Sequence, residues 1–194
     1  MDSSLLRSMK VIKGLQIGCL ALCGDLTNDF VKKALESFPD YEKLSLDRIP
    51  FDSHKLNKYL VQNLKSLCIG EAQRLKIDQV LVTNSETIRL YSSEFTENDL
   101  NRFLKLWIRG SNSRLKFFFT WGQPQLGGRS FNKIAILKGI KYEQIPLDGQ
   151  EVYKDYISVH FRNVPLAGGF RTWRPNGTSA VIVVECKRLK FVVE

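Results

Sequence analysis

The stretch from Phe95 to Trp121, FTENDLNRFLKLWIRGSNSRLKFFFTW, decides the fold class, because it joins a helix to a buried strand. Thr96 is a typical helix cap, and Asp99, three residues later, is placed to reach back to it as in a capping box. Gly110 is placed to end the helix in a left-handed turn. Apolar residues between these signals recur at intervals of three and four, which predicts one wide apolar helix face: Leu100, Phe103, Leu104, Trp107 and Ile108.

The strand of this unit is the apolar run from Leu115 to Trp121, which follows a polar turn. A continuous apolar run of this length is typical of a strand that is buried on both faces. A helix with a wide apolar face that leads into a buried strand is one unit of a layered α/β structure. The predicted fold class is therefore α/β.

Similar units recur along residues 1–121. Pairs of apolar residues two positions apart fall at 20/22, 44/46, 67/69, 88/90 and 115/117, with spacings of 24, 23, 21 and 27 residues. A strand-plus-helix unit of 20–29 residues is typical of leucine-rich repeats, although no unit shows a clear Asn at the turn position of that pattern. We predict a short, irregular leucine-rich-repeat-like strand–helix solenoid with a parallel sheet on its concave side. A three-layer α/β domain without repeat geometry is the alternative.

The helices between these strands have recognisable starts. Asp25 or Thr27 can cap the first helix, which Pro39 stops, and the next helix starts near Asp52 or Ser53. The segment 71–77 is less regular and is interpreted as a helical turn.

Residues 122–194 are predicted to form a β-rich C-terminal cap that is continuous with the repeat region. The loop 122–130 leads into a short helix that ends at Gly139, and Pro175-Asn176-Gly177 is a strong hairpin turn between apolar runs. The other predicted elements are a turn at Asp148-Gly149, strands over 156–161, 170–173 and 180–184, and a last strand over 189–193.

The net charge of +9 is unevenly distributed, with a net −1 over residues 1–100 and +10 over residues 101–194. Such asymmetry is typical of a surface for nucleic acid or for an acidic partner, although solvated surface charge produces it too. No apolar run reaches the 18 or so residues of a membrane span, and the first residues do not resemble a signal peptide. The expected location is the cytoplasm or the nucleus, with no membrane contact.

No motif indicates catalysis. The four cysteines lack the paired spacing of a zinc site and are interpreted as buried, reduced thiols. Gly127-Gly128-Arg129-Ser130 lacks the ending of a phosphate-binding loop, and His54 and His160 stand outside any nucleophile–base motif. We therefore predict no catalytic residues, no cofactor and no metal, and a protein that is not an enzyme.

The predicted contact surface combines basic residues of the C-terminal half with tryptophans near strand ends, since Trp and Arg are common in protein hot spots and aromatic rings also stack on bases. Phe103 and Trp107 are assigned to the core. The predicted contact residues are Arg114, Lys116, Trp121, Arg129, Arg171, Trp173 and Arg174.

Three blocks of the sequence resemble a known family. Phe95–Trp121 carries Asp-Leu-Asn followed by Phe-Leu-Lys and Trp, and it closely resembles the core signature of the type 2 F-box-associated domain of nematode F-box proteins. Ile136–Ile140 is similar to its next block. Phe170–Ala180 is similar to its late block, with Asn176 in place of the acidic turn residue and Trp173 interrupting the basic pair. The resemblance covers roughly residues 40–194.

The resemblance implies a substrate-recognition role. In such proteins an F-box binds the Skp-type adaptor of a cullin–RING ubiquitin ligase, and the C-terminal domain is thought to hold the target. The residues before the first predicted strand are too few for a three-helix F-box, so a fragment, a product that has lost its F-box and a stand-alone module are all open. The alternative function is RNA or DNA binding through the basic half, although no RRM, KH or zinc signature is present.

Overall fold

The computed structural model describes residues 17–50, 53–122, 130–146 and 168–194, and it shows a mixed α/β fold built on one nine-stranded sheet. Across the sheet the strands follow the order β1-β2-β3-β4-β5-β9-β8-β7-β6. The strands are β1 Ile17–Leu22, β2 Tyr41–Arg48, β3 Ser66–Glu71, β4 Thr87–Ser93, β5 Phe117–Gly122, β6 Glu143–Ile145, β7 Gly169–Trp173, β8 Ser179–Glu185 and β9 Arg188–Val193. The helices are α1 Asn28–Ser37, α2 Ser53–Leu60, α3 Ile77–Leu81, α4 Glu97–Ile108 and α5 Lys133–Ile136.

Strands β1 to β5 are parallel and adjacent in chain order, with one helix between each strand and the next. Apolar residues of the five strands are in register and form one row across the sheet: Leu20, Leu44, Leu67, Ile88 and Phe118. The predicted fifth pair at 115/117 was therefore wrong, because 118/120 holds the equivalent position. Three consecutive phenylalanines give no alternation from which to choose the strand's inward side, and a slip of one residue exchanges the two faces.

Helix α4 forms as the sequence predicts. The Thr96 hydroxyl accepts a hydrogen bond from the Asp99 backbone N–H, and the Asp99 carboxylate accepts one from the Thr96 backbone N–H. Gly110 has a φ of 109°, which is the left-handed conformation expected after the last turn. Trp107 and Phe103 are fully buried, which confirms their assignment to the core.

Strands β6 to β9 extend the same sheet and do not cover its end. β9 pairs antiparallel with β5, β8 pairs with β9, and β7 pairs with β8 across the hairpin turn at Asn176-Gly177. Gly177 has a φ of 89°, as a tight hairpin turn requires. The regions 1–121 and 122–194 therefore share one sheet in the described part of the chain.

Helices cover one face of this sheet. The large core cluster joins helix residues such as Leu35, Leu60 and Phe103 to one alternate set of strand residues, including Leu44 and Ile69. The other alternate set points away from the helices, and we call that side the open face. A smaller apolar cluster lies there, formed by Phe117, Ile145, Val181, Val183 and Val192, with Phe119 against it.

Several local predictions differ from the structure. Residues 77–81 form helix α3, whereas the helical turn was predicted over 71–77. Thr27, not Asp25, caps α1. Three cysteines that were predicted to be buried are exposed: Cys19 on the open face of the edge strand β1, Cys23 just after that strand, and Cys186 in the turn between β8 and β9. The predicted loop 122–130 is described only at its ends, and the turn at 148–149, the strand over 156–161, Arg129 and His160 lie outside the described residues. Among the described helices none is long and apolar enough to cross a membrane.

Candidate functional site

An aromatic cluster with one cation lies on the open face, towards the carboxyl ends of β4 and β5. The Tyr91 ring centroid is 5.5 Å from that of Phe119 and 6.4 Å from that of Trp121. Arg188 is the register partner of Trp121 on β9, and its guanidinium carbon lies 4.5 Å from the Trp121 ring centroid. We call Tyr91, Phe119, Trp121 and Arg188 the aromatic patch.

Strand alternation produces this patch. Phe119 and Trp121 are two residues apart on β5, so both side chains point to the open face, while Phe118 and Thr120 are fully buried beneath the helices. The three rings are half-buried and Arg188 is exposed. The patch therefore presents partly solvent-accessible rings and a charged group side by side.

The cation of the patch has no carboxylate partner in the described part of the chain. Glu185 is the register partner of Arg188 across the hairpin, but its carboxylate contacts the Lys190 amine at 3.3 Å. Arg89, the neighbour of Phe119 on β4, is buried, with its guanidinium 5.8 Å from the Phe117 ring. Arg188 is thus the cation that the patch offers to solvent.

Two cysteine thiols lie elsewhere on the open face, next to Ser45 of β2. The Cys23 Sγ is 3.8 Å from the Ser45 hydroxyl, and Cys68 is the register partner of Ser45. Burial raises the pKa of both Cys23 and Cys68, so both thiols stay protonated near neutral pH. Within the described ranges, no three His, Cys, Asp or Glu residues are grouped as a metal site requires.

A cleft of about 550 Å³ opens beyond the carboxyl ends of β4 and β5. Its lining includes Ser93, Phe95, Glu97, Asn132 and Lys187. Ser93 is hydrogen-bonded to the Thr120 hydroxyl at 2.6 Å, and the Glu97 carboxylate accepts the Asn132 backbone N–H at 3.1 Å. These lining groups join loops and helices to one another, and no nucleophile is paired with a base among them.

The predicted contact residues do not form one surface. Arg114 and Lys116 both bind the Glu86 carboxylate, at 3.2 Å and 2.8 Å, beside the amino end of β5. These ion pairs hold the pKa of Glu86 below its ordinary value, with the Lys116 hydrogen bond as the main cause. Trp121 lies at the opposite end of that strand, roughly 17 Å away at about 3.3 Å per residue.

The remaining predicted contacts lie on β7 and just after it. Arg171 pairs with Glu194 at 2.9 Å on the open face, and Trp173 is 37% exposed at the strand end. Arg174 is buried, and its guanidinium donates to the carbonyls of Trp107, Ser111 and Asn112. Arg174 is therefore not available to a partner in this fold, which corrects its place in the predicted surface.

Sequence reasoning missed Tyr91, Phe119 and Arg188 as neighbours of Trp121. Period-two alternation along 117–121 groups Phe119 with Trp121, and that signal was present in the sequence. The approach of Arg188 depends on β9 pairing with β5, which joins residues 67 positions apart. No local pattern indicates that pairing.

The three family-like blocks meet inside the fold. The Asn101 side-chain amide donates to the carbonyls of Ile136 and Lys138, at 2.6 Å and 2.9 Å, and so joins the first block to the second. Arg174 joins the third block to Trp107 of the first. Asn101 and Arg174 therefore stabilise the fold, and neither belongs to the aromatic patch on the open face.

The fold and its surface define a mixed α/β domain with helices on one sheet face and an aromatic patch on the other. Residues 55–119 match the family model described as F-box associated. The chain is also 23% identical over 149 residues to the F-box associated domain-containing protein sdz-33 of Caenorhabditis elegans, across 77% of this chain and 42% of that protein. No solved structure matches the chain.

These two matches agree with the resemblance found from the sequence, and the chain is similar to F-box-associated proteins over residues 55–119. It spans less than half the length of the curated relative.

Proposed function

We propose that this chain is a non-enzymatic protein-interaction module that holds the target of a cullin–RING ubiquitin ligase. The match of residues 55–119 to the F-box-associated model supports the interaction role, and the aromatic patch is the observation that carries it. Tyr, Trp and Arg are the residues most enriched among binding hot spots. The patch places Trp121 beside both Tyr91 and the exposed Arg188, on the side of the sheet that faces away from the helices.

The sequential order of the parallel strands supports a further part of the proposal, that the first half is a degenerate leucine-rich-repeat-like solenoid. Contact with a Skp-type adaptor is not part of the proposal, because the described helices α1 to α5 all contribute to the core on the sheet.

All four cysteines are free, in keeping with a reducing compartment such as the cytoplasm or nucleus.

Nucleic-acid binding is the competing function, and the pairing of the described cations weighs against it. Phosphate binding requires free Lys and Arg side chains. Arg114 and Lys116 are held by Glu86, Arg171 by Glu194, and Arg174 by backbone carbonyls. Four of the five basic residues in the predicted contact surface are thus engaged within the protein.

The test is affinity purification of this chain from nematode extract, with and without nuclease, read by mass spectrometry. Trp121→Ala should remove the nuclease-resistant protein partners. Trp173→Ala is the matched control, because Trp173 is an exposed tryptophan outside the patch and should leave them bound. Thermal melts of both variants verify that each is folded.

Two results would contradict the proposal. Partners that all disappear with nuclease would indicate nucleic-acid binding through the basic half. Partners that persist in a folded Trp121→Ala variant would place the binding surface elsewhere. Recovery of the Skp-type adaptor among the resistant partners would show that ligase contact extends to this part of the chain.

A further inference from the structure

We propose that the aromatic patch binds an acidic, extended segment of the protein target, with a carboxylate on Arg188 and an apolar side chain on the neighbouring rings. This inference rests on the proposed function and names the chemistry of the segment that the patch takes. It requires the target to offer an acidic residue and an apolar residue two positions apart.

The first argument is the state of the Arg188 guanidinium. Its stacking on Trp121 at 4.5 Å orients the plane of the group, while its exposure leaves the N–H donors accessible from solvent. A planar guanidinium held in this way matches a carboxylate with two parallel hydrogen bonds. Restricting the side chain before binding also lowers the entropy that the complex must lose.

The second argument is charge complementarity. Two other cations on this side of the sheet already have carboxylate partners, since Lys190 contacts Glu185 and Arg171 contacts Glu194. Among the described residues the Arg188 guanidinium has no carboxylate partner, and it lies over the Trp121 ring. The patch therefore carries one uncompensated positive charge beside half-buried rings, and a carboxylate is the group that complements it.

The third argument is the spacing along the strand. Phe119 and Trp121 lie two residues apart on β5, which separates their positions by roughly 6.6 Å. An extended peptide presents alternate side chains on one side with the same repeat. A peptide carboxylate at the Arg188–Trp121 pair thus places the side chain two residues away over Phe119 and Tyr91.

The experiment measures binding of three labelled peptides of equal length to the whole chain by fluorescence anisotropy. The first consists of repeated Glu-Ser-Leu-Ser units, and the others carry Gln or Lys in place of Glu. The Glu peptide should bind at least about tenfold more tightly than the Gln peptide, which is the lower range for a charge-assisted hydrogen bond. The Lys peptide should bind more weakly than both.

Variants assign this preference to one group. Arg188→Gln should make the Glu and Gln peptides bind equally, and Arg188→Lys should retain part of the difference. Arg109→Gln is the matched control, because Arg109 is an exposed cation at the end of α4, away from the patch. It should leave the preference unchanged, and thermal melts check the folding of each variant.

Equal binding of the Glu and Gln peptides to the wild-type chain would overturn the inference, as would a preference that survives Arg188→Gln. No binding of the Glu peptide up to about 1 mM would overturn it too, because such affinity is negligible for a recognition site. Tighter binding of a single-stranded oligonucleotide, lost as salt rises, would assign the charge to nucleic acid instead. If extract partners depend on Trp121 but not on Arg188, the proposed function stands and this inference fails.

Discussion

The guanidinium of Arg174 lies over the indole ring of Trp107, with 4.2 Å between the guanidinium carbon and the ring centroid. The same group donates to the Trp107 carbonyl at 2.9 Å and to the Ser111 carbonyl at 2.7 Å. Carbonyls at a helix end lack partners within the helix. An arginine 67 positions away in sequence therefore closes the carboxyl end of α4, against the most deeply buried tryptophan.

Arg174→Ala should lower the free energy of unfolding by about 3 kcal/mol, because it removes the charged donor shared by the Trp107, Ser111 and Asn112 carbonyls and also removes the ring contact. Chemical denaturation of the purified chain measures this change. Arg102→Ala is the control, since Arg102 on the same helix makes an exposed ion pair with Asp78 and its loss should cost under about 1 kcal/mol. Equal effects of the two substitutions would contradict the capping role.

Trp107→Ala should destabilise the chain by about 3–5 kcal/mol, as large aromatic truncations in a core do. Trp107 is fully buried and packs edge-on against Phe191, with 4.8 Å between ring centroids. A thermal melt unchanged by the substitution would contradict the helix packing described here.

The double variant Trp107→Ala/Arg174→Ala measures how far the two side chains act together. Because each contacts the other, the sum of the single effects should exceed the double effect by about 1 kcal/mol. Strict additivity would show that the stacking contributes nothing beyond the carbonyl contacts.

Local signals predicted those elements whose stability is local. The Thr96–Asp99 capping box, the apolar stripe of α4 and the hairpin at Asn176-Gly177 all depend on residues within a few positions of one another, and all three are present. The four apolar pairs before residue 91 also predicted a correct register, because a smaller or more polar residue separates the two members of each pair. Pairings over long sequence separation were not predictable in the same way.

Most of the candidate site depends on pairings over long sequence separation. Trp121 was found from sequence because a tryptophan at a strand end is conspicuous. Its neighbour Arg188 comes from the antiparallel extension of the sheet, and Arg174 was misassigned because a basic residue beside a turn is usually exposed. Arg174 is buried because it donates to a carbonyl at the end of α4, and this contact forms only when the third block packs on the first.

Asn101→Asp should destabilise the chain more than Asn101→Ala. The Asn101 amide donates to the carbonyls of Ile136 and Lys138, and a carboxylate there places negative charge against two acceptors. We expect about 2 kcal/mol for Ala and more for Asp. Hydrogen exchange of residues 131–140 localises the effect, and protection unchanged in both variants would contradict the link between α4 and α5.

Glu86 should contribute a small stability that disappears in acid. Its carboxylate holds Lys116 and Arg114 and has a pKa below its ordinary value of 4.5. For a group whose pKa is lowered in the folded state, the contribution is fully present above the unfolded value and is lost as pH falls through the folded value.

Glu86→Gln should therefore reduce the free energy of unfolding at pH 7 by under about 1 kcal/mol, because the ion pairs are partly exposed and screened by water. The difference between the variant and the wild-type chain should shrink as the pH falls below 4.5, the ordinary pKa of the group. Denaturation curves across this range measure it, with Glu42→Gln as the control for an exposed pair on another strand. A difference that grows as the pH falls would mean that Glu86 is protonated more readily in the folded state, against the geometry at the amino end of β5.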